Sequence, residues 1–325
     1  MTRTLLAFAF ILVSVHAAAW DRGTVERFAT LPAGNANPEG ITIDKHGDIY
    51  VTTFAVTAAS GPGRLFVYDD RGNLKRQLDV AGSSNLLLGL AFHPQTNQLL
   101  VLDFGAGNVL SVNPNTGASN VFSAIPGGGL NALTFDSRGN VYISDSFRGI
   151  IWRTGPRGGT ATAWVTNDLL TTTGFPPFGA NGLGFNSDES ALFVANTGND
   201  TVVRIPVTAG APGTPAVFVN AINGADGLIL DANDNLWICA NQADEIVVVD
   251  KTGKAIAKLG DFNGLSGGAP SGFLFPASLA RSGDSIYVTN LSLDLRLFGL
   301  PQSVDSQWAA QVTTHTISRI RARIP

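Results

Sequence analysis

Residues 131–145, NALTFDSRGNVYISD, hold a small residue, an alternating apolar strand, a tight turn and a second strand with an aromatic near its start. The phrase recurs along the chain. Gly40-Ile41-Thr42-Ile43-Asp44 precedes Gly47-Asp48-Ile49-Tyr50-Val51-Thr52, and Gly89-Leu90-Ala91-Phe92 precedes Gln98–Asp103. Gly182-Leu183-Gly184-Phe185 leads to Leu192–Asn196, Gly227–Asp231 to Asn235–Cys239, and Ser278-Leu279-Ala280-Arg281 to Ser285–Asn290. The small residue falls at 40, 89, 132, 182, 227 and 278, in steps of 49, 43, 50, 45 and 51. Steps of ~40–50 residues match one four-stranded propeller blade. Third strands follow (Arg64–Tyr68, Asn108–Val112, Thr201–Ile205), then weaker fourth strands such as Ala161–Val165 and Ala216–Val219. The sixth copy runs out after a third strand at His315–Ile320, while Thr24–Ala29 stands alone near the N-terminus. That orphan strand can supply the missing outer strand and close the ring, which protects the sheet edges. The expected fold is all-β, a six-bladed β-propeller closed by an N-terminal strand joining the C-terminal blade.

Composition agrees with many short strands and turns. Of 325 residues, 37 are Gly and 16 Pro, 44% are hydrophobic and only 14% charged. The net charge of −4 includes no basic stripe, so a nucleic-acid partner is not expected. A lone Cys239 excludes a disulfide framework, and its apolar strand predicts a buried, inert thiol. Arg3, the apolar run Leu5–Val15 and Ala17-Ala18-Ala19 read as a signal peptide over residues 1–19. Eleven apolar residues fall short of the ~20 that span a bilayer, so the expectation is a secreted or periplasmic protein with one propeller domain over 20–325 and no membrane span.

Inner strands line a propeller's channel. The residue before each small residue starts such a strand at the mouth, and around the ring it is Glu39, Leu88, Asn131, Asn181, Asp226 and Ala277. Four oxygen-bearing side chains therefore converge near the axis. Two carboxylates and two amides form a hard donor set suited to Ca²⁺, with Mg²⁺ or Mn²⁺ as alternatives and waters completing the shell. Zinc would call for His or Cys, absent at these positions. A cation there would also relieve repulsion between Glu39 and Asp226.

Pro38-Glu39-Gly40, Ala180-Asn181-Gly182-Leu183 and Ala225-Asp226-Gly227-Leu228, with Asn131 between them, resemble the metal-ligand pattern of the gluconolactonase and regucalcin-like (SMP-30/gluconolactonase/LRE-like) propellers. The resemblance extends from about Thr24 to Ala322. It implies a calcium-dependent hydrolase of a lactone or other ester, and so a small-molecule substrate. It also implies that Asp226 is base or nucleophile, that Asn131 and Asn181 hold metal and substrate, and that Glu39 is a metal ligand. Two positions depart from relatives acting on sugar lactones: Gly129 stands where they carry Arg, and Ala132 where an acidic residue is common. Both departures make the pocket less polar.

Four long segments, 54–63, 167–179, 262–275 and 291–313, are expected over the same mouth. They carry Phe54, Phe175, Phe178, Phe262, Phe273, Phe275 and Trp308, an apolar rim from which Phe54, Phe178 and Phe275 are taken as substrate contacts. His46 and His93 lie in turns at the opposite face and His315 at the start of an outer strand, so no catalytic histidine is expected. Asp103, Asp145, Asn196 and Asn290 end second strands, where they read as hairpin hydrogen bonders. Competing readings are a non-catalytic extracellular binding module with a structural ion, and, below it, phosphotriester hydrolysis or strictosidine-synthase-like condensation. Fold alone does not choose among them.

Overall fold

A computed structural model describes residues 21–300 and 305–324; the expected signal peptide lies outside them. The described residues form six antiparallel sheets arranged as propeller blades and one separate two-stranded sheet. Their inner strands are Asn37–Ile43, Leu87–Phe92, Leu130–Phe135, Ala180–Phe185, Ala225–Leu230 and Pro276–Ser282. Each packs against the next, and the sixth against the first, so the ring is closed. In blade six the order is Pro276–Ser282, Ser285–Asn290, Thr316–Arg321, and finally Glu26–Thr30 from the N-terminus as outer strand. His315 thus precedes the third strand of that blade rather than an outer one. Of the long segments, 262–275 forms a hairpin, Phe262–Ser266 with Ala269–Gly272, and Phe54 ends a second strand instead of opening a loop.

The repeated residues have repeated work. Asp44, Asp136 and Asp231 follow inner strands and accept backbone N–H groups across the turn. Their second oxygens accept from the aromatic that opens the next strand: Tyr50 Oη at 3.2 Å, Tyr142 Oη at 3.1 Å and Trp237 Nε1 at 3.0 Å. The aromatic satisfies its polar tip there while its ring is buried between blades. Alternation on the middle strands then feeds apolar clusters between blades. Tyr50, Leu65 and Leu99 join blades one and two, while Phe193, Leu236 and Val247 join four and five. Cys239 is fully buried in the cluster between blades five and six, and burial pushes its thiol pKa up.

Every inner strand slips register at one place, between Pro38 and Ile41, Leu87 and Leu90, Leu130 and Leu133, Ala180 and Leu183, Ala225 and Leu228, and Pro276 and Leu279. The two residues skipped in each case are the donor position and the small residue. A bulge re-aims side chains out of the pleat. The small residue lets the neighbouring strand come close: a Cβ on Gly182 would lie 2.5 Å from Leu228 N and 2.6 Å from Asp226 O. Hydroxyls staple some of these crossings. Thr52 Oγ1 accepts from Gly40 N at 3.1 Å and donates to Leu88 O at 2.6 Å, and Thr289 Oγ1 accepts from Ser278 N at 3.1 Å and donates to Glu39 O at 2.6 Å.

Gly182→Ala should therefore destabilise the protein by about 2 kcal/mol or more in denaturant unfolding, because its methyl group meets backbone that has nowhere to go. A change within 0.5 kcal/mol of zero would show that the ring has slack at this point.

Candidate functional site

The bulges bring Glu39, Asn131, Asn181 and Asp226 to one small cavity of about 40 Å³ at the channel mouth, together with Phe54, Phe178 and Phe275. All four polar side chains are at most 5% exposed. Asn131 Nδ2 donates to Ser146 Oγ at 3.2 Å and Asn181 Nδ2 to Thr197 Oγ1 at 3.0 Å, so both amide nitrogens are engaged and their carbonyl oxygens are the open acceptors. Asn241 Nδ2 donates to Asp226 Oδ2 at 2.7 Å. Glu39 Oε2 and Asp226 Oδ1 are buried without a hydrogen-bond partner among the described residues.

Two buried, unpartnered carboxylate oxygens in one cavity carry a cost. Burial pushes the Asp226 carboxyl up from 3.8 to about 7, against the opposing pull of Asn241 and Asn181. Glu39 is pushed well above the carboxylate range, first by burial and then by the charge of Asp226. A hydrogen-bond donor or a cation would satisfy both oxygens. Among the described residues no three His, Cys, Asp or Glu side chains gather as a ligand cluster. The donors here are two carboxylates and two amide carbonyls, and this all-oxygen set fits a hard divalent ion such as Ca²⁺.

Ser146, Thr197 and Asn241 were not singled out by sequence reasoning. Each follows its inner-strand partner by 15 or 16 residues, just past the second strand, so the repeat itself carried the signal. Leu88, placed at the mouth by the repeat, walls the cavity, and so do Leu291, Leu293 and Leu295, which were not singled out. The aromatic rim is narrower than expected. Phe175 packs with Phe54 and Phe275 around the mouth. Phe273 instead belongs to the core between blades five and six, and Phe262 pairs with Trp308, ring centroids 5.4 Å apart; neither of these two lines the cavity. Phe275 is held from below, its N–H donating to Asp244 Oδ1 at 2.7 Å. Asp244 faces Asp305, and burial raises both carboxyls.

Among the described residues no histidine lines the cavity. His93 Nε2 lies 2.9 Å from Gly139 O in a turn, and His315 lines a separate cleft between blades one and six, where burial lowers it to about 4. Asp103 accepts from backbone N–H groups and the Ser84 hydroxyl, Asp145 from backbone N–H groups and Trp152 Nε1, and Asn196 donates its amide to carbonyls, as hairpin hydrogen bonders do.

Residues 166–260, which include Asn181 and Asp226, match the family model described as SMP-30/Gluconolactonase/LRE-like region. Lactonase drp35 of Staphylococcus haemolyticus is 31% identical over 137 residues, 39% of this chain and 40% of that protein's length. Lactonase drp35 of Staphylococcus aureus strain MRSA252 is 26% identical over 238 residues, 56% of this chain and 72% of that protein. Among solved structures, a gluconolactonase from Xanthomonas campestris superposes with a TM-score of 0.64 at 14% identity, covering 94% of this chain and 92% of that one. The calcium-binding protein regucalcin from Agrobacterium tumefaciens gives 0.60 at 17% identity over 91% and 97%. At such identities the structural likeness speaks for the fold alone: a six-bladed β-propeller.

With no cation supplied, Asp226→Asn should be more stable than the parent at pH 8 and indistinguishable from it at pH 4. An acid whose folded pKa lies above its unfolded one stabilises at low pH and loses that contribution as pH rises through about 7. Ionising a carboxyl held at about 7 instead of 3.8 costs about 4 kcal/mol, and asparagine can still accept from Asn241. Thermal unfolding in chelator across pH 4–8 reads this directly. Parallel curves for the two proteins would show that the buried carboxylate carries no such cost.

Proposed function

We propose that the protein is a calcium-dependent hydrolase of a lactone or related carboxylic ester, and that its substrate is apolar. The observation that carries this reading is the pair of buried, unpartnered oxygens on Glu39 and Asp226, set beside the amides of Asn131 and Asn181 at the channel mouth. Those four residues would hold the ion. Bound there, calcium supplies a fixed positive charge that polarises a carbonyl oxygen and stabilises negative charge developing on it.

The chain's own groups do the rest. Asp226, kept in register by Asn241, takes a proton from a water that adds to the carbonyl carbon, or attacks that carbon itself. On the first route the ring C–O bond then breaks, the proton passes to the departing oxygen, and a hydroxy acid results. On the second the ring C–O bond breaks as an acyl–Asp226 anhydride forms, and a water hydrolyses it, protonating the departing oxygen, regenerating the Asp226 carboxylate and releasing the same hydroxy acid. Asn131 and Asn181, braced by Ser146 and Thr197, orient the ester group. Phe54, Phe178, Phe275 and the leucines of the 291–295 segment exclude water and favour an apolar substituent. The two lactonases named drp35 support the reaction class, the regucalcin neighbour supports the ion, and the leader-like run before residue 20 supports export.

A panel of lactones and aryl esters, assayed after chelation and again with calcium restored, tests the reading. Turnover should vanish and return, and Asp226→Asn should lower kcat by about 10²-fold or more. Turnover indifferent to both treatments would exclude this mechanism. If chelation lowers the unfolding temperature while no substrate is turned over, the ion is structural and the protein a binding module.

A further inference from the structure

Phe147 lies outside the cavity wall yet is joined to it. Phe54, Phe104, Phe147 and Phe178 come from blades one to four and form a continuous arc, with successive ring centroids 5.7, 5.6 and 5.7 Å apart. Its two ends, Phe54 and Phe178, line the cavity. Phe147 itself is 54% exposed, so its ring gains little from burial in the free protein. It is nevertheless well fixed. The N–H groups of Gly129 and Phe147 both donate to Asp145 Oδ1, at 3.1 and 3.2 Å, which clamps the two segments together. The ring then lies over Gly129, where a Cβ would fall 2.5 Å from Cδ2 and 2.9 Å from Cε2. Gly129 precedes Asn131 by two residues, and Phe147 follows Ser146, the hydroxyl that accepts from Asn131.

The absence of a side chain at 129 is therefore what seats this ring beside the reacting end of the pocket. The cavity's polar groups share its lining with Phe54 and Phe178, the two ends of an arc that is wholly aromatic. Hydroxyl groups brought onto that arc would lose water without gaining partners, whereas an alkyl or aryl substituent would lose only its exposure to water.

We infer that Phe147, seated over Gly129, is the specificity-determining residue that makes this site take lactones and esters bearing an apolar substituent. The inference rests on the hydrolase reading of the same pocket but is tested by binding alone. The probes are two lactams that the reaction does not consume, δ-valerolactam and its 6-pentyl derivative, titrated against the calcium-supplemented protein by ligand-observed NMR. Wild type should prefer the pentyl lactam. Phe147→Ala should weaken the pentyl lactam about eightfold, as expected if ~50 Å² of apolar contact is lost, and leave the unsubstituted one within about twofold. Phe147→Leu should restore part of the loss. Gly129→Ala, which displaces the ring while removing no atom of it, should act in the same direction as Phe147→Ala. Equal weakening of both lactams, or no weakening of either, would overturn the inference. Because no turnover is needed, a protein that hydrolyses nothing still reports on Phe147.

Discussion

Six strands can share one axis only if their backbones approach more closely than ordinary side chains allow. Here that constraint is met by one slip of register and one small residue per inner strand, at Gly40, Gly89, Ala132, Gly182, Gly227 and Ser278. The same slip frees the preceding side chain from the pleat. Closing the ring and building the site are thus a single structural event: what lets blades four and five touch at Gly182 also sends Asn181 and Asp226 toward the channel mouth.

The electrostatics follow from that geometry. Convergence buries Glu39 and Asp226 in a space of about 40 Å³, where leaving their free oxygens without a partner is costly. Asn241, Ser146 and Thr197 hold the outward-facing atoms of the ring of donors, which orients the remaining oxygens inward as a group. A site prepared in this way is poised for a positive charge. The apolar mouth above it, closed on one side by Leu291, Leu293 and Leu295, lowers the local dielectric and strengthens any charge interaction inside.

Much of this was legible in the sequence because propeller symmetry converts spacing into position. The small residues gave the inner strands, the residue before each gave the donors, and the orphan Thr24–Ala29 gave the closure seen as Glu26–Thr30 on Thr316–Arg321. The second tier was harder to see. Ser146, Thr197 and Asn241 differ in residue type, and only their shared place after the second strand unites them. Loop segments escape the repeat altogether: Phe273 and Phe262 turned inward or aside while Phe275 reached the mouth, a choice made by Asp244 accepting the Phe275 N–H and not by any periodicity. Phe147 escaped for a related reason, since its position depends on a glycine eighteen residues earlier in the chain.

The site as a whole depends on four oxygen donors, from blades one, three, four and five, sharing one cation. Crystals grown with calcium test this most directly. A peak should stand at the channel mouth with Glu39, Asn131, Asn181 and Asp226 oxygens at about 2.3–2.6 Å and waters completing the shell. Clear density for an ordered water alone at that point, with calcium present in excess, would contradict it.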